Sequence, residues 1–225
     1  MTMSIDAARS VRTSDRLDSK TTYDEAVKRL LDIIVAICAI VILGPVLLSV
    51  FFIMARVNPH GAIYRHRRVG RNGEPFRCYK FQTMLPDADA ILAAHLAAEP
   101  AAAQEWIETR KLRKDPRVTR LGAFLRATSL DELPQLFNIL FGQMSFVGPR
   151  PITFPELDRY GGQAHRYLTV RPGLTGLWQI SGRSALNYSE RVDLDMVYLN
   201  NRSIGLDLVI MLKTIPAVAR TRQAA

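Results

Sequence analysis

Between Ile33 and Ala55 the chain carries no charged residue, and this run constrains the possible folds more than any other feature. At about 1.5 Å per residue, a continuous helix of that length reaches roughly 34 Å, enough to cross the hydrocarbon core of a bilayer. Gly44 and Pro45 sit at its centre. Pro45 has no amide hydrogen for the Val41 carbonyl and its ring crowds that turn, so a kink is expected there, and Gly44 adds local freedom. A straight spanning helix with a tolerated proline and a helix that bends back on itself are both compatible with this pattern.

The flanks are basic on both sides: Lys28 and Arg29 before the run, then Arg56, Arg65, Arg67, Arg68 and Arg71 after it. Positive residues favour the cytoplasmic side of a membrane, so a spanning helix would put one cluster on the wrong side, whereas a helix that returns keeps both inside. Met1 to Asp24 is polar, mixed in charge and without periodicity, and reads as a disordered tail. The apolar run is too long and starts too late for a signal peptide. Cys38 and Cys78 form neither a disulfide framework nor a metal-ligand spacing, which fits a reducing compartment.

A net charge of +9 points to nucleic acid, an anionic membrane surface or phosphorylated small molecules. No helix-turn-helix, zinc-finger or aromatic RNA-binding signature is present, and a DNA-gripping patch has no use for an intramembrane helix. Ile63 to Met84 reads as short strands around an Asn-Gly hairpin turn at 70–75. Asp87 to Leu112 is helix-rich and broken at Pro100. Leu133, Leu136, Phe137, Leu140 and Phe141 repeat as the apolar stripe of an amphipathic helix that Gly142 is placed to end, suited to the core or to a lipid interface. Leu206 to Ile215 is a further helix. The fold class is α+β, mainly helical, with one small β-hairpin.

The chemistry centres on Ser129-Leu130-Asp131-Glu132-Leu133-Pro134-Gln135. Ser129 and Glu132 have the spacing of a capping box, and on local sequence alone capping is the favoured role. Pro134 fits that register poorly, however, and Asp131 is itself a good N-cap. At a helix N-terminus an ionised Asp131 would be positioned as a carboxylate nucleophile next to phosphate oxygens. A neighbouring Glu132 would hold Mg²⁺ against an anionic diphosphate. Arg126 and Arg150, the latter between Pro149 and Pro151, are candidates for gripping phosphate oxygens.

Five motifs now occur together: Lys80-Phe81-Gln82-Thr83-Met84; Asp115-Pro116-Arg117-Val118-Thr119; Leu125-Arg126 through Gln135; Val147-Gly148-Pro149-Arg150-Pro151; and Arg171-Pro172-Gly173-Leu174-Thr175-Gly176. In this combination the chain resembles the bacterial sugar transferases, the small monotopic polyprenyl-phosphate hexose-1-phosphate (phosphoglycosyl) transferases. The likeness extends from about Lys28 to Pro216 and is strongest to enzymes that start exopolysaccharide repeat units with galactose or glucose phosphate.

The resemblance implies a disordered tail over 1–26, a re-entrant membrane helix over 27–56 hinged at Gly44-Pro45, and a catalytic domain with amphipathic interface helices over 57–225, on the cytoplasmic face of the bacterial inner membrane. It implies that Asp131 attacks the sugar-bearing phosphate of a UDP-hexose, that UMP leaves, and that undecaprenyl phosphate takes the phosphosugar from Asp131. Glu132, beside Asp131, would bind the magnesium, and Lys80, Arg126, Arg150 and Arg183 would lie around phosphate and nucleotide. A homodimer is compatible with it and nucleic acid is not a partner. Asp195 and Asp207 match acidic positions whose roles the resemblance leaves open. Two departures stand out: Gly44 replaces a common serine and Gln82 a common arginine. The competing expectation is a non-catalytic membrane scaffold binding anionic lipid or a partner protein, with Asp131 and Glu132 acting as helix caps only.

Overall fold

The structure, a computed structural model, describes residues 25–58, 60–109, 112–182 and 186–221. Helix α1 covers Glu25–Val57 and continues through Pro45, whose carbonyl accepts a bond from the Ser49 hydroxyl at 2.8 Å. Ala36, Leu47 and Met54 on one side of α1 are buried, and Ala39, Ile40 and Val50 pack on the same cluster. On the other side Val41 and Ile42 are 72% and 74% exposed, with Leu48 and Phe52 open too. An apolar face of that extent calls for a non-aqueous neighbour.

Both ends of α1 are fastened to the body that follows it. At the first turns Lys28 Nζ lies 3.2 Å from Asp32 and 2.8 Å from Asp207. Tyr198 donates to Asp207 at 2.8 Å, Asp32 accepts from the Phe146 amide, and Arg29 donates to the carbonyls of Ile139 and Leu140. At the far end the Asn58 side chain donates to the carbonyls of Met54 and Gln82. Lys28 and Arg29, read from the sequence as a basic flank, are therefore internal: a buried ion pair and a cap on another helix's carbonyls.

Strands β1 (Ile63–Val69) and β2 (Pro75–Phe81) form an antiparallel hairpin with Tyr64 opposite Lys80 and His66 opposite Cys78. The expected Asn-Gly turn is present, with Asn72 at φ 59 and Gly73 at φ 76. Helices α2 (Ala88–Ala98) and α3 (Pro100–Thr109) follow, separated at Pro100 as the composition predicts. Helix α4 (Arg120–Ala127) starts at Thr119, whose hydroxyl accepts from the Gly122 amide. A short 3₁₀ turn, Leu130–Glu132, then leads through Pro134 into α5 (Gln135–Leu140).

The apolar stripe expected on α5 divides in two. Leu136 and Ile139 are buried, while Phe137 and Phe141 are 40% and 65% exposed. Asn138, wholly buried, joins α5 to β2: its side chain accepts from the Tyr79 amide and donates to the Arg77 carbonyl. The helix stops before Gly142, which adopts φ 76, as the sequence suggests.

Strand β3 (Ser145–Val147) pairs in parallel with β4 (Gly173–Thr175), an element the sequence does not announce. Around them are α6 (Phe154–Leu157), α7 (Ala164–Tyr167), α8 (Leu177–Ile180), α9 (Tyr188–Asn201) and α10 (Ile204–Thr221). The glycines of two motifs are explained here by close backbone approach. A Cβ on Gly173 would lie 2.2 Å from the Gly148 nitrogen, and one on Gly176 would lie 2.4 Å from the Gly148 carbonyl oxygen. The architecture is mainly helical with a small hairpin, as read from the sequence.

Candidate functional site

An open cleft of about 1910 Å³ lies between the hairpin, the 3₁₀ turn and α1. Lys80, Asp131, Glu132, Arg126 and Arg150 line it, and so do Val35, Ala39, Leu43 and Phe51 of α1 with Met211 and Ile215 of α10. The structure thus gathers residues from five separate sequence motifs into one space, charged on one side and apolar on another. Arg183 and the expected tail up to Asp24 lie outside the described residues; Glu25 and Ala26 open α1.

The capping box does not form. Ser129 is in the left-handed region at φ 56 and its side chain makes no cap bond. A non-glycine residue held there stores about 1–3 kcal/mol, a feature that concentrates at functional sites. Its effect is to turn the chain sharply out of α4, so that the two acids enter the cleft ahead of α5. Glu132, half-exposed, accepts from Lys80 Nζ at 2.6 Å. Asp131 is only 8% exposed.

The Asp131 carboxylate makes no ion pair among the described residues and sits where opposing electrostatic influences meet. Burial, and then the Glu132 charge, push its pKa up to about 6, while Lys80 and Arg126 oppose that rise. Burial acts against the charged form of Lys80, but the Glu132 and Asp131 carboxylates outweigh it and hold its pKa above the ordinary value. At neutral pH the three groups are therefore an ammonium, a carboxylate bonded to it and a second, buried carboxylate with reduced solvation. A desolvated carboxylate of this kind is a competent nucleophile toward phosphorus.

The arginines differ in how far their donors are committed. Arg126, which lines the cleft, uses Nε on the Thr83 hydroxyl at 2.9 Å, and its two terminal nitrogens donate no hydrogen bond among the described residues. Arg150 donates no side-chain hydrogen bond among the described residues; its guanidinium lies over the Trp178 ring, 5.5 Å from the centroid. By contrast Arg117 is closed onto Asp115 at 2.6 Å, and Arg68 is shared between the Pro151 carbonyl and Glu156. Free, fork-shaped donors in a cleft are what phosphate oxygens require.

The motif Asp115 to Thr119 turns out to be structural: an ion pair, a helix cap and a bridge between Val118 and Met84. Gln82 donates to the Met84 carbonyl at 2.8 Å. Asp195 and Asp207 also acquire roles, both inside the body: Asp195 accepts from Tyr160 at 2.7 Å, and Asp207 holds Lys28. Sequence reasoning missed Thr83, which stands inside the motif Lys80 to Met84, and Trp178, which lies two residues beyond the motif Arg171 to Gly176.

For a divalent cation the fit can be tested on the two carboxylates. Among the described residues no group of three or more His, Cys, Asp or Glu side chains is gathered, so an all-protein cage is absent there. Mg²⁺ commonly uses one or two carboxylates together with substrate phosphates and water. Glu132, half-exposed beside Asp131, offers that arrangement, and the repulsion that lifts the Asp131 pKa is what a cation would relieve.

Comparison with known proteins bears on the family of the chain. Residues 23–221 match the sequence profile described as bacterial sugar transferase. The chain is 50% identical over 195 residues to the exopolysaccharide production protein ExoY of Sinorhizobium fredii, covering 87% of this chain and 86% of that protein. It is 46% identical to the undecaprenyl-phosphate galactose phosphotransferase of Salmonella typhimurium, covering 86% of this chain and 40% of that protein. It is 36% identical to the UDP-glucose:undecaprenyl-phosphate glucose-1-phosphate transferase of Klebsiella pneumoniae, covering 84% and 39%. The chain thus spans most of ExoY but about two fifths of the two longer relatives.

Proposed function

The chain belongs to the bacterial sugar transferase family, and from that premise we propose that it moves hexose 1-phosphate, galactose or glucose, from a UDP-sugar to undecaprenyl phosphate and so begins an exopolysaccharide repeat unit. Relatives named for each of these two sugars align over more than four fifths of the chain. The observation that carries the reading is the buried Asp131 carboxylate, set in a cleft with uncommitted arginine donors on one side and an apolar helix face on the other.

In this reading Asp131 attacks the phosphorus that bears the sugar, and the bond from that phosphorus to the UMP oxygen breaks, so UMP departs with the electron pair. Undecaprenyl phosphate then attacks the same phosphorus and frees the carboxylate. Two phosphoanhydrides of comparable energy are exchanged through an acyl phosphate, so positioning and charge neutralisation suffice. Arg126 and Arg150 would bind phosphate oxygens, and Lys80 would fix Glu132. Glu132, with Asp131, would hold Mg²⁺, which when bound supplies positive charge to the diphosphate.

We place α1 in the inner membrane as a re-entrant helix with residues 57–225 on the cytoplasmic face. Supporting this is the attachment of both ends of α1 to one body, through Lys28 and Arg29 at one end and Asn58 at the other. A helix crossing the bilayer would part those ends by about 30 Å of hydrocarbon. The exposed Phe137 of α5, Phe141 just past its end, and Leu212 and Ile215 of α10 suit a lipid interface. The scaffold alternative required the two acids to serve as helix caps, and neither does.

The test is direct. Protein in vesicles with Mg²⁺, undecaprenyl phosphate and a panel of UDP-hexoses should release UMP with one or two of the sugars, and Asp131→Asn should release none. Unchanged UMP release by Asp131→Asn would sink the assignment of the nucleophile. No release from any UDP-sugar by the unaltered protein would sink the activity.

A further inference from the structure

Two guanidinium groups lie over the Trp178 indole: Arg150 is 5.5 Å from its centroid and Arg191 is 5.6 Å away. Arg150 and Trp178 line the cleft, whereas Arg191, on α9, is tied by its terminal nitrogen to the Leu186 carbonyl. We propose that Trp178 is a positioning residue that holds the Arg150 guanidinium, with its donors free, toward the diphosphate of the donor substrate; this rests on the nucleotide-sugar reading above.

Three observations lead to this assignment. First, the acids whose charges Arg150 feels, Glu156 and Asp195, form no ion pair with its side chain among the described residues. Glu156 accepts from Arg68, from the Thr153 amide and from the Thr153 hydroxyl, and Asp195 accepts from Tyr160. No carboxylate among the described residues closes on Arg150, and the ring face supplies the attraction that an ion pair would otherwise provide.

Second, the backbone beneath Arg150 is already fixed. The Tyr167 hydroxyl donates to the Arg150 carbonyl at 2.9 Å, and Arg68 donates to the Pro151 carbonyl at 3.1 Å. What remains to be set is the direction of the side chain, and Trp178 is the group in contact with it. Third, Trp178 Nε1 is buried without a hydrogen-bond partner among the described residues. A buried indole N–H normally finds one, and leaving it unpaired costs about 1–3 kcal/mol. Stability alone gives no reason for an indole here, whereas a broad π face that steers a cation does.

Donor binding separates positioning from mere packing, and it is measured on the Asp131→Asn protein so that turnover does not intrude. Adding Trp178→Leu, which keeps bulk and removes the π face, should weaken UDP-hexose binding about 5- to 30-fold. Adding Trp178→Phe should leave most of the affinity, with thermal stability equal to or above that of the parent. In an Arg150→Ala background, Trp178→Leu should bring little further loss, because the ring acts through that arginine. Full affinity with Trp178→Leu, or equal losses with and without Arg150, would overturn the proposal. Should Trp178→Leu fail to fold, a loss of affinity in Trp178→Phe as large as that of Arg150→Ala would overturn it as well. An Asp131→Asn protein that binds no UDP-hexose at all would count against the functional reading and not against Trp178.

Discussion

Two clusters of charge in this protein obey opposite rules. At the foot of α1, Lys28 lies between Asp32 and Asp207, Tyr198 donates to Asp207, and Asp32 also takes the Phe146 amide. All of these groups are buried and each has its partner. In the cleft, burial and then the neighbouring Glu132 push the Asp131 pKa up, Arg150 makes no ion pair among the described residues, and Glu132 is half-exposed. Satisfied networks of the first kind set one conformation. Incompletely matched groups of the second kind store unfavourable energy until a ligand removes it, which is where binding and catalysis are expected.

The sharpest way to break this contrast is at Asp131. Asp131→Asn should lower UMP release by at least about 10³-fold, since a nucleophile has no substitute within reach. Stability should move the other way. The folded-state pKa of about 6 lies above the ordinary value of 3.8, so ionising Asp131 in the folded protein costs energy that is absent below pH 4 and fully present above pH 6. Asp131→Asn should therefore be more stable than the parent at pH 8, by at most about 3 kcal/mol, and equal to it near pH 4. Thermal unfolding at the two pH values checks this, and a variant less stable at pH 8 would contradict it.

The foot should respond in reverse. Lys28→Met leaves two buried aspartates without their cation, a change that typically costs 3–5 kcal/mol. Chemical denaturation should record that loss, whereas the enzyme that remains folded should keep its KM for the UDP-hexose. A raised KM with unchanged stability would mean that the foot belongs to the active site after all.

The next test is the pH profile. Turnover per unit of free enzyme should fall about tenfold per pH unit below an apparent pKa near 6, as Asp131 takes up a proton. Lys80 holds that pKa down, so Lys80→Met should move the acid limb to higher pH. A limb that stays in place would show that Lys80 acts on the substrate and not on the acids.

How far the sequence foretold each region follows from the range of the interactions involved. The hairpin, the break at Pro100 and the stop at Gly142 were legible because Asn72-Gly73, Pro100 and Gly142 act on their immediate neighbours. Asp131, Glu132, Lys80, Arg126 and Arg150 were legible as chemistry, and their motifs do meet in one cleft. The foot was not, because Lys28 and Asp207 are distant in sequence and a lysine beside an apolar run reads as a flank. The Ser129 capping box failed because a left-handed serine and a cross-chain lysine together outbid a local bond. The role of Trp178 was hidden for the same reason as the foot: a ring beneath two arginines from different elements has no one-dimensional signature.

The finest distinction compares single hydroxyls in the two regions. Thr83 accepts from Arg126 Nε in the cleft, and Tyr198 donates to Asp207 at the foot. Each is a hydrogen bond to a charged group, worth about 1.5–3 kcal/mol when neither partner finds a replacement. Arg126 retains access to water, so Thr83→Val should cost less than that, raising the KM for UDP-hexose about 2- to 10-fold while thermal stability stays close to the parent. Tyr198→Phe should do the converse, lowering the unfolding midpoint and leaving the KM alone. If Thr83→Val lowers stability as much as Tyr198→Phe, then Arg126 is part of the framework, and the division between a satisfied foot and an uncommitted cleft fails at that residue.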